Sequence, residues 1–247
     1  MIDLSDKRVV LTGAGGGIGS AMMRALAEAG AHIVACDRAG TEITGAAEVE
    51  LFDITSADEV AAAAARIAAR PVDVLISNAG GTRVETMEAT DRAAIDFDLS
   101  LNFTGAAQFS RALLPAMRGA GGAMVFVASV NGLAHFGNPA YSAAKAGLIA
   151  WAKAIATEEG KHGIRANVVA PGSVHTPAWD ARKARQPDIF EQVTALYPLG
   201  RLVRPEEVAS AALFLASPLA SGVTGTVLPV DAGLTAGNLP FIDIISR

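Results

Sequence analysis

A chain of 247 residues that is 51% hydrophobic, 18% charged and 5% aromatic carries enough apolar surface for a folded core, which excludes a disordered tail. Twenty Lys and Arg against 25 Asp and Glu give a net charge of -5, so nothing draws the protein to a polyanion and nucleic acid is not an expected partner. The single cysteine, Cys36, rules out an intramolecular disulfide and a thiolate metal cage.

In chain order, Arg8 to Thr12 is a short β-branched run that ends in a glycine cluster, and Ser20 to Ala29 reads as a helix. Ala31 to Asp37 and Glu48 to Phe52 are the next strands. Ser56-Ala57-Asp58-Glu59 has the spacing of a capping box and opens an Ala-rich helix to about Ala69. Val72 to Ser77 is almost continuously apolar, as a strand buried on both faces should be. A long helical region from Asp91 to about Arg118 follows, then a strand at Ala123 to Ala128, a helix from Pro139 to about Lys161, and a strand at Arg165 to Ala170. Pro205 to Ala216 is helical, and Thr226 to Val230 is the last strand. Strands separated by helices imply right-handed βαβ units. The expected fold is α/β: one Rossmann-like, doubly wound parallel sheet of about seven strands, with helices on both faces. No linker divides the chain, so residues 1–247 read as one domain. Residues 174–204 have no clear assignment, and a stretch of that length in a compact domain is usually a lid or binding loop.

Two segments mimic membrane or export signals. Lys7-Arg8 precedes an uncharged stretch to Met23, but five glycines and the acidic Asp3 and Asp6 spoil it as a signal peptide. Ala209 to Val230 carries no charge, yet Pro218, Gly222, Gly225 and Pro229 break it into helix, loop and strand. A protein without membrane contact, in the cytoplasm, is expected.

Thr12-Gly13-Ala14-Gly15-Gly16-Gly17-Ile18-Gly19 lies between the first strand and the first helix. Glycines there let backbone approach a pyrophosphate, and the helix N-terminus offers unpaired N–H groups and a positive dipole end. Asp37 closes the second strand eighteen residues beyond Gly19, near the separation at which a carboxylate accepts from the adenosine ribose hydroxyls. A carboxylate there repels a 2′-phosphate, so NAD is the expected cofactor. Arg38 beside it is either a phosphate partner or a solvated loop residue.

Tyr141 and Lys145 stand four residues apart near a helix start and so share one face. A phenol is a weak base at neutral pH, and a neighbouring ammonium stabilises the phenolate. The pair taken alone also fits a surface tyrosine lying over a lysine stem.

With these motifs in order, and with Ser77-Asn78-Ala79-Gly80, Asn102 in Leu101-Asn102-Phe103-Thr104-Gly105, Ser129 after the fifth strand and Pro171-Gly172-Ser173-Val174-His175-Thr176, the sequence resembles the short-chain dehydrogenase/reductase family over essentially its whole length. The resemblance implies a catalytic tetrad of Asn102, Ser129, Tyr141 and Lys145. Tyr141 would exchange a proton with the substrate oxygen, and Ser129 would hydrogen-bond that oxygen. Lys145 would bind nicotinamide-ribose hydroxyls and tune the tyrosine, and Asn102 would hold a water that links Lys145 to solvent. It also implies cofactor contacts at Gly13, Gly17, Ile18, Gly19, Asp37, Asp53, Ile54, Asn78, Ala79, Gly80, Val174 and Thr176, besides Tyr141 and Lys145. Asp53 fits equally well a turn residue before a helix. Ser77 and Ala128 depart from common family residues without removing a catalytic atom.

Substrate contacts are expected from Asn131, His135, His175 and Trp179, with Arg83 a further pocket residue. His32 and His162 read as turn residues; the four histidines have no spacing that converges on a metal, and none is expected. The apolar tail from Gly233 suggests packing on its own subunit or a neighbour, and the resemblance implies a homotetramer. The expected activity is interconversion of a secondary alcohol and a ketone, on a polyol, sugar or small hydroxy compound. The competing readings are an NADPH-dependent 3-oxoacyl thioester reductase and a non-catalytic dinucleotide sensor.

Overall fold

In the computed structural model, which describes residues 2–119 and 121–246, seven strands form one parallel sheet. The strands are β1 (Arg8–Thr12), β2 (His32–Asp37), β3 (Glu48–Leu51), β4 (Val74–Ser77), β5 (Gly122–Val127), β6 (Ile164–Pro171) and β7 (Val227–Val230). Their order is β3-β2-β1-β4-β5-β6-β7. β1 and β4 are adjacent, with Thr12 in register with Ser77, and the chain winds outward from this pair in both directions. That reversal leaves a crevice beyond the carboxyl ends of the two strands, where ligands of such sheets bind.

The described residues form nine helices: α1 (Gly17–Glu28), α2 (Ala57–Ala68), α3 (Arg92–Leu99), α4 (Gly105–Met117), α5 (Pro139–Glu159), α6 (Pro177–Arg185), α7 (Ile189–Thr194), α8 (Pro205–Ala216) and α9 (Leu239–Ile245). On one face Met22, Leu26, Val208 and Leu215 of α1 and α8 bury Ile33, Val125 and Val169. On the other, Ile67, Phe109, Leu113, Met117 and Leu148 of α2, α4 and α5 bury Leu75, Met124 and Phe126. Burying each large side chain of this kind contributes about 1.5–3 kcal/mol. The middles of the inner strands are therefore mostly apolar, whereas edge strand β3 leaves Val49 and Leu51 exposed.

Several expected boundaries move for local reasons. The first helix starts inside the glycine run, at Gly17, because the N–H of Ser20 already donates to Gly16 O at 2.8 Å. The capping box at Ser56 forms only in part. Its hydroxyl accepts from Glu59 N at 3.4 Å, but the Glu59 carboxylate accepts from Asp53 N at 2.9 Å, since Ser56 N is already bonded to Asp53 O. The helical region after Asp91 is α3 and α4 joined by one π turn over Ser100–Thr104, which contains Asn102. Residues 174–204 are not structureless: they hold α6 and α7, and a parallel bridge between Val174 and Val203 closes their base. The uncharged run 209–230 folds as α8, a 3-10 turn and β7, and among the described residues no helix is long and apolar enough to cross a membrane.

Candidate active site

The crevice at the β1–β4 switch has a volume of about 840 Å³. Its floor is the glycine turn. Gly13 has φ +69, a left-handed conformation that disfavours any side chain, and a Cβ there would lie 2.9 Å from Ala79 Cα. A Cβ on Gly19 would run into Gly13 O, so the turn closes only with glycine at both places. Thr12 Oγ1 accepts from the N–H of Asn78 at 3.0 Å and of Ala79 at 3.1 Å, and Asn78 Nδ2 donates to Gly13 O at 3.0 Å. These bonds lock the β4 loop against the turn. α1 begins here with no side-chain cap and no acidic residue in its first turn. Its first N–H groups remain for an anion.

Gly13, Gly17, Ile18, Gly19, Asp37, Asp53, Ile54, Asn78, Ala79, Gly80 and Thr176 all line this crevice. Asp37 Oδ2 accepts from Gly15 N at 2.9 Å, and its Oδ1 accepts from Arg38 N at 2.8 Å and Thr41 Oγ1 at 3.2 Å. Asp53 lines the crevice, and its carboxylate accepts from the N–H and hydroxyl of Thr55 at 2.8 Å, as a turn residue before a helix does. Val174 does not reach the crevice, because it is buried in the α1/α8 core and paired with Val203. Cys36, Thr41, Phe52 and Arg83 line it as well. Of these, only Arg83 was among the expected site residues, since strand-end and loop side chains carry no motif.

Of the four residues of the expected tetrad, Asn102 and Lys145 meet behind the crevice wall at Gly80. A Cβ on Gly80 would lie 2.8 Å from Asn102 Oδ1 and 3.2 Å from Lys145 Nζ, so both side chains press on that one backbone position. The π turn aims Asn102 there, and its amide is held by three bonds. Gly81 N donates to Oδ1 at 3.0 Å, and Nδ2 donates to Gly81 O at 2.8 Å and Asp98 O at 3.0 Å. Lys145 is buried and donates to Val127 O, at the end of β5, at 2.8 Å. Burial lowers its pKa to about 8. Its ammonium lies 5.6 Å from the centre of the Tyr141 ring, confirming that the two share a helix face.

The expected lowering of the tyrosine by this lysine is not what the geometry gives. Burial pushes the Tyr141 phenol above its ordinary value; a hydrogen bond with Ser129 draws it down, and the carboxylate of Asp98 pushes it up. Desolvating a phenolate outweighs its neighbours, and the lysine bonds to Val127 O rather than to the phenol.

Ser129 is seated by Asn131, which donates its N–H to Ser129 Oγ at 3.1 Å and accepts from that hydroxyl at 3.3 Å. The Asn131 amide also donates to Gly137 O at 2.7 Å and Ser142 Oγ at 3.1 Å. Its side chain is thus engaged in shaping the loop that presents Ser129. His135 is exposed. His175 is exposed too, 2.8 Å from Asp180 and edge-on to Phe190, which also packs against Trp179. Tyr197, within 174–204, is buried and accepts from Ser173 N at 2.9 Å, so it anchors the base of that segment instead of covering a ligand. Among the described residues no group of acidic, His or Cys side chains is placed to hold a metal ion.

The cradle fits a dinucleotide: a glycine floor without room for side chains, an uncapped helix N-terminus, and a carboxylate at the end of the second strand. Relatives agree with that fit. The family model described as enoyl-(acyl carrier protein) reductase matches residues 13–235. An uncharacterized oxidoreductase of Schizosaccharomyces pombe is 41% identical, over 93% of this chain and 91% of the relative. A galactitol 2-dehydrogenase (L-tagatose-forming) of Cereibacter sphaeroides is 38% identical, over 91% of this chain and 93% of the relative. The crystal structure of an oxidoreductase of the short-chain dehydrogenase/reductase family from Burkholderia thailandensis superposes with a TM-score of 0.90 at 44% identity, covering 97% of each chain. With agreement that spans both the crevice and the helix carrying Tyr141 and Lys145, the chain belongs to the short-chain dehydrogenase/reductase family, oxidoreductases that use a nicotinamide dinucleotide.

Proposed function

We propose that this protein is an NAD-dependent dehydrogenase that interconverts a secondary alcohol and a ketone on a polyol, sugar or small hydroxy compound. The observation that carries the reading is a run of contacts beside a crevice shaped for a dinucleotide: Lys145 Nζ lies against Gly80 and 5.6 Å from the centre of the Tyr141 ring, and Tyr141 is hydrogen-bonded with Ser129. Bound nicotinamide would supply or accept the hydride. Ser129 holds the substrate oxygen by a hydrogen bond and steadies the charge that develops on it. Tyr141 Oη gives a proton to that oxygen or takes one from it. Lys145, as ammonium, binds the ribose hydroxyls. Asn102 keeps one free lone pair on Oδ1, on the side of Gly80 where Lys145 lies, for a water that resupplies protons.

NAD is preferred over NADP because the Asp37 carboxylate lines the crevice at the end of β2, its Oδ2 held by Gly15 N of the glycine turn, where a 2′-phosphate would meet a negative charge. The polyol assignment is supported by the galactitol 2-dehydrogenase relative. Residues 174–204 act as the substrate lid, hinged at the Val174–Val203 bridge. Exposed Phe241, Ile242, Ile244 and Ile245 on α9 support burial against a second copy, in a cytoplasmic homotetramer. The reductase reading is favoured by the description of the matching family model, an enoyl-(acyl carrier protein) reductase, and by the exposed Arg38 beside Asp37. A screen of secondary alcohols, polyols and 3-oxoacyl thioesters with each cofactor, followed by nicotinamide absorbance, tests the assignment. Turnover of a polyol with NAD supports it; turnover confined to thioesters with NADPH overturns it.

A further inference from the structure

The mechanism leaves one charged side chain of the crevice without a task. Among the described residues the crevice is lined by two arginines, Arg38 beside Asp37 at the end of β2 and Arg83 in the loop after β4. No carboxylate among the described residues lies within ion-pair distance of Arg83. Glu85, two positions on, is already paired with Arg182 of α6 at 2.8 Å. Asp98 is buried and accepts from Thr82 Oγ1 at 3.3 Å; burial raises its carboxyl, and the Arg83 charge opposes that only from beyond ion-pair range. A guanidinium in a concave site without an acid is a fork of donors suited to an anion.

Arg83 is exposed, yet the chain around it is fastened at each step. Asn102 holds Gly81 by two bonds. Asn138 Nδ2 donates to Thr82 Oγ1 at 3.4 Å and to Val84 O at 2.8 Å, one on either side of Arg83, and Asn138 N donates to Glu85 O at 2.9 Å. Asn138 reaches all three by adopting φ 53, a left-handed conformation that asparagine tolerates better than most residues. The Arg83 guanidinium then lies 3.7 Å over the centre of the half-buried Phe97 ring. Such a stack fixes the plane of the fork and leaves its edge free to hydrogen-bond. A solvated arginine needs neither the fastened backbone nor the stack.

The course of the loop points to the anion's source. It passes Lys145 at Gly80, is tied at Thr82 and Val84 to the residue that starts α5 three positions before Tyr141, and meets the 174–204 segment where Glu85 pairs with Arg182. It thus leads away from the glycine turn, where the uncapped start of α1 already offers a pyrophosphate its seat. We infer that Arg83 binds a carboxylate on the substrate, so that the compound turned over is a hydroxy acid or sugar acid, an alcohol that also carries an acid group. The inference rests on the dehydrogenase reading and names its substrate class. A carboxylate takes two parallel N–H bonds from a guanidinium, which fixes orientation as well as position, and here it turns the carbinol carbon toward Ser129 and Tyr141.

Calorimetric titration of the protein with NAD bound reads the charge preference without turnover. The probes are 3-hydroxybutanoate and galactonate, each beside an uncharged counterpart, methyl 3-hydroxybutanoate and galactitol. At least one acid should bind about tenfold or more tightly than its counterpart, and Arg83→Gln should erase the difference. Arg83→Lys, which keeps the charge and loses the fork and the stack, should restore only part of it. In turnover, Arg83→Gln should raise KM for that acid by a similar factor and leave kcat within a few-fold. Should Arg83→Gln not fold, NMR of the unsubstituted protein decides: the Arg83 Nε–H signal should move with the acid and not with its counterpart. Equal binding of acid and counterpart in both pairs overturns the inference, and so does an acid preference that survives Arg83→Gln. Weakened NAD binding in Arg83→Gln with the acid preference intact would assign Arg83 to a cofactor phosphate and overturn it as well. An Arg83-dependent acid preference in a protein that oxidises no alcohol would sink the dehydrogenase reading and leave the carboxylate site standing. Turnover of alcohols without any acid preference would do the reverse.

Discussion

The two walls of the site are built from different materials. The dinucleotide wall is backbone: Gly13, Gly19 and Gly80 lie so close to Ala79, Gly13 O and Lys145 that no side chain fits. The wall proposed for the substrate, residues 174–204 with the loop after β4, is side chains: aromatic edges at His175, Trp179 and Phe190 and an exposed ion pair from Arg182 to Glu85 at 2.8 Å. A backbone wall tolerates almost no change, and a side-chain wall can be rewritten one contact at a time. One fold can therefore keep its cofactor while its substrates vary.

Substitutions should divide along this line. Gly19→Val, which drives a branched side chain into Gly13 O, should weaken dinucleotide affinity by about 100-fold or more and destabilise the fold by about 1–3 kcal/mol, read by calorimetric titration and thermal melting. Asp37→Ala should raise NADP use relative to NAD by about tenfold or more; a ratio that stays put removes Asp37 from cofactor selection. Because burial holds the Lys145 ammonium below its ordinary range, its proton leaves as pH rises through about 8. Dinucleotide affinity should fall over that interval, and Lys145→Met should flatten the dependence. On the other wall, Arg182→Ala breaks an exposed pair and should cost under about 1 kcal/mol in stability. The Michaelis constant for substrate should change more than dinucleotide affinity does. If Arg182→Ala weakened the cofactor as much as Gly19→Val, the division would be wrong.

The dinucleotide wall was legible in the sequence for the same reason that it is rigid. Backbone approach demands glycine, glycine demands fixed spacing, and the inner strands carry continuous apolar runs. The sheet, the crevice and the place of Asp37 follow from that. The tetrad residues were legible through resemblance, but their electrostatics were not. That Lys145 would bond Val127 O, and that burial would win over its charge at Tyr141, depends on packing between β5 and α5, which spacing does not encode. The burial of Asp98 was missed because an acidic residue in an amphipathic helix reads as solvated; only the packing of α3 on α5 buries it. The helices of 174–204 escaped detection because α6 is polar, α7 spans six residues, and the segment is held at its base by Tyr197 and the Val174–Val203 bridge.

The most direct test is Tyr141→Phe, which removes one oxygen and leaves the glycine cradle intact. Dinucleotide affinity should stay within a few-fold of the unsubstituted protein, while turnover of whichever alcohol the screen finds falls by about 10²–10⁴-fold, the usual worth of a positioned acid–base group. Unchanged turnover in a folded, cofactor-binding Tyr141→Phe protein would contradict the assignment of that phenol as the proton-transfer group.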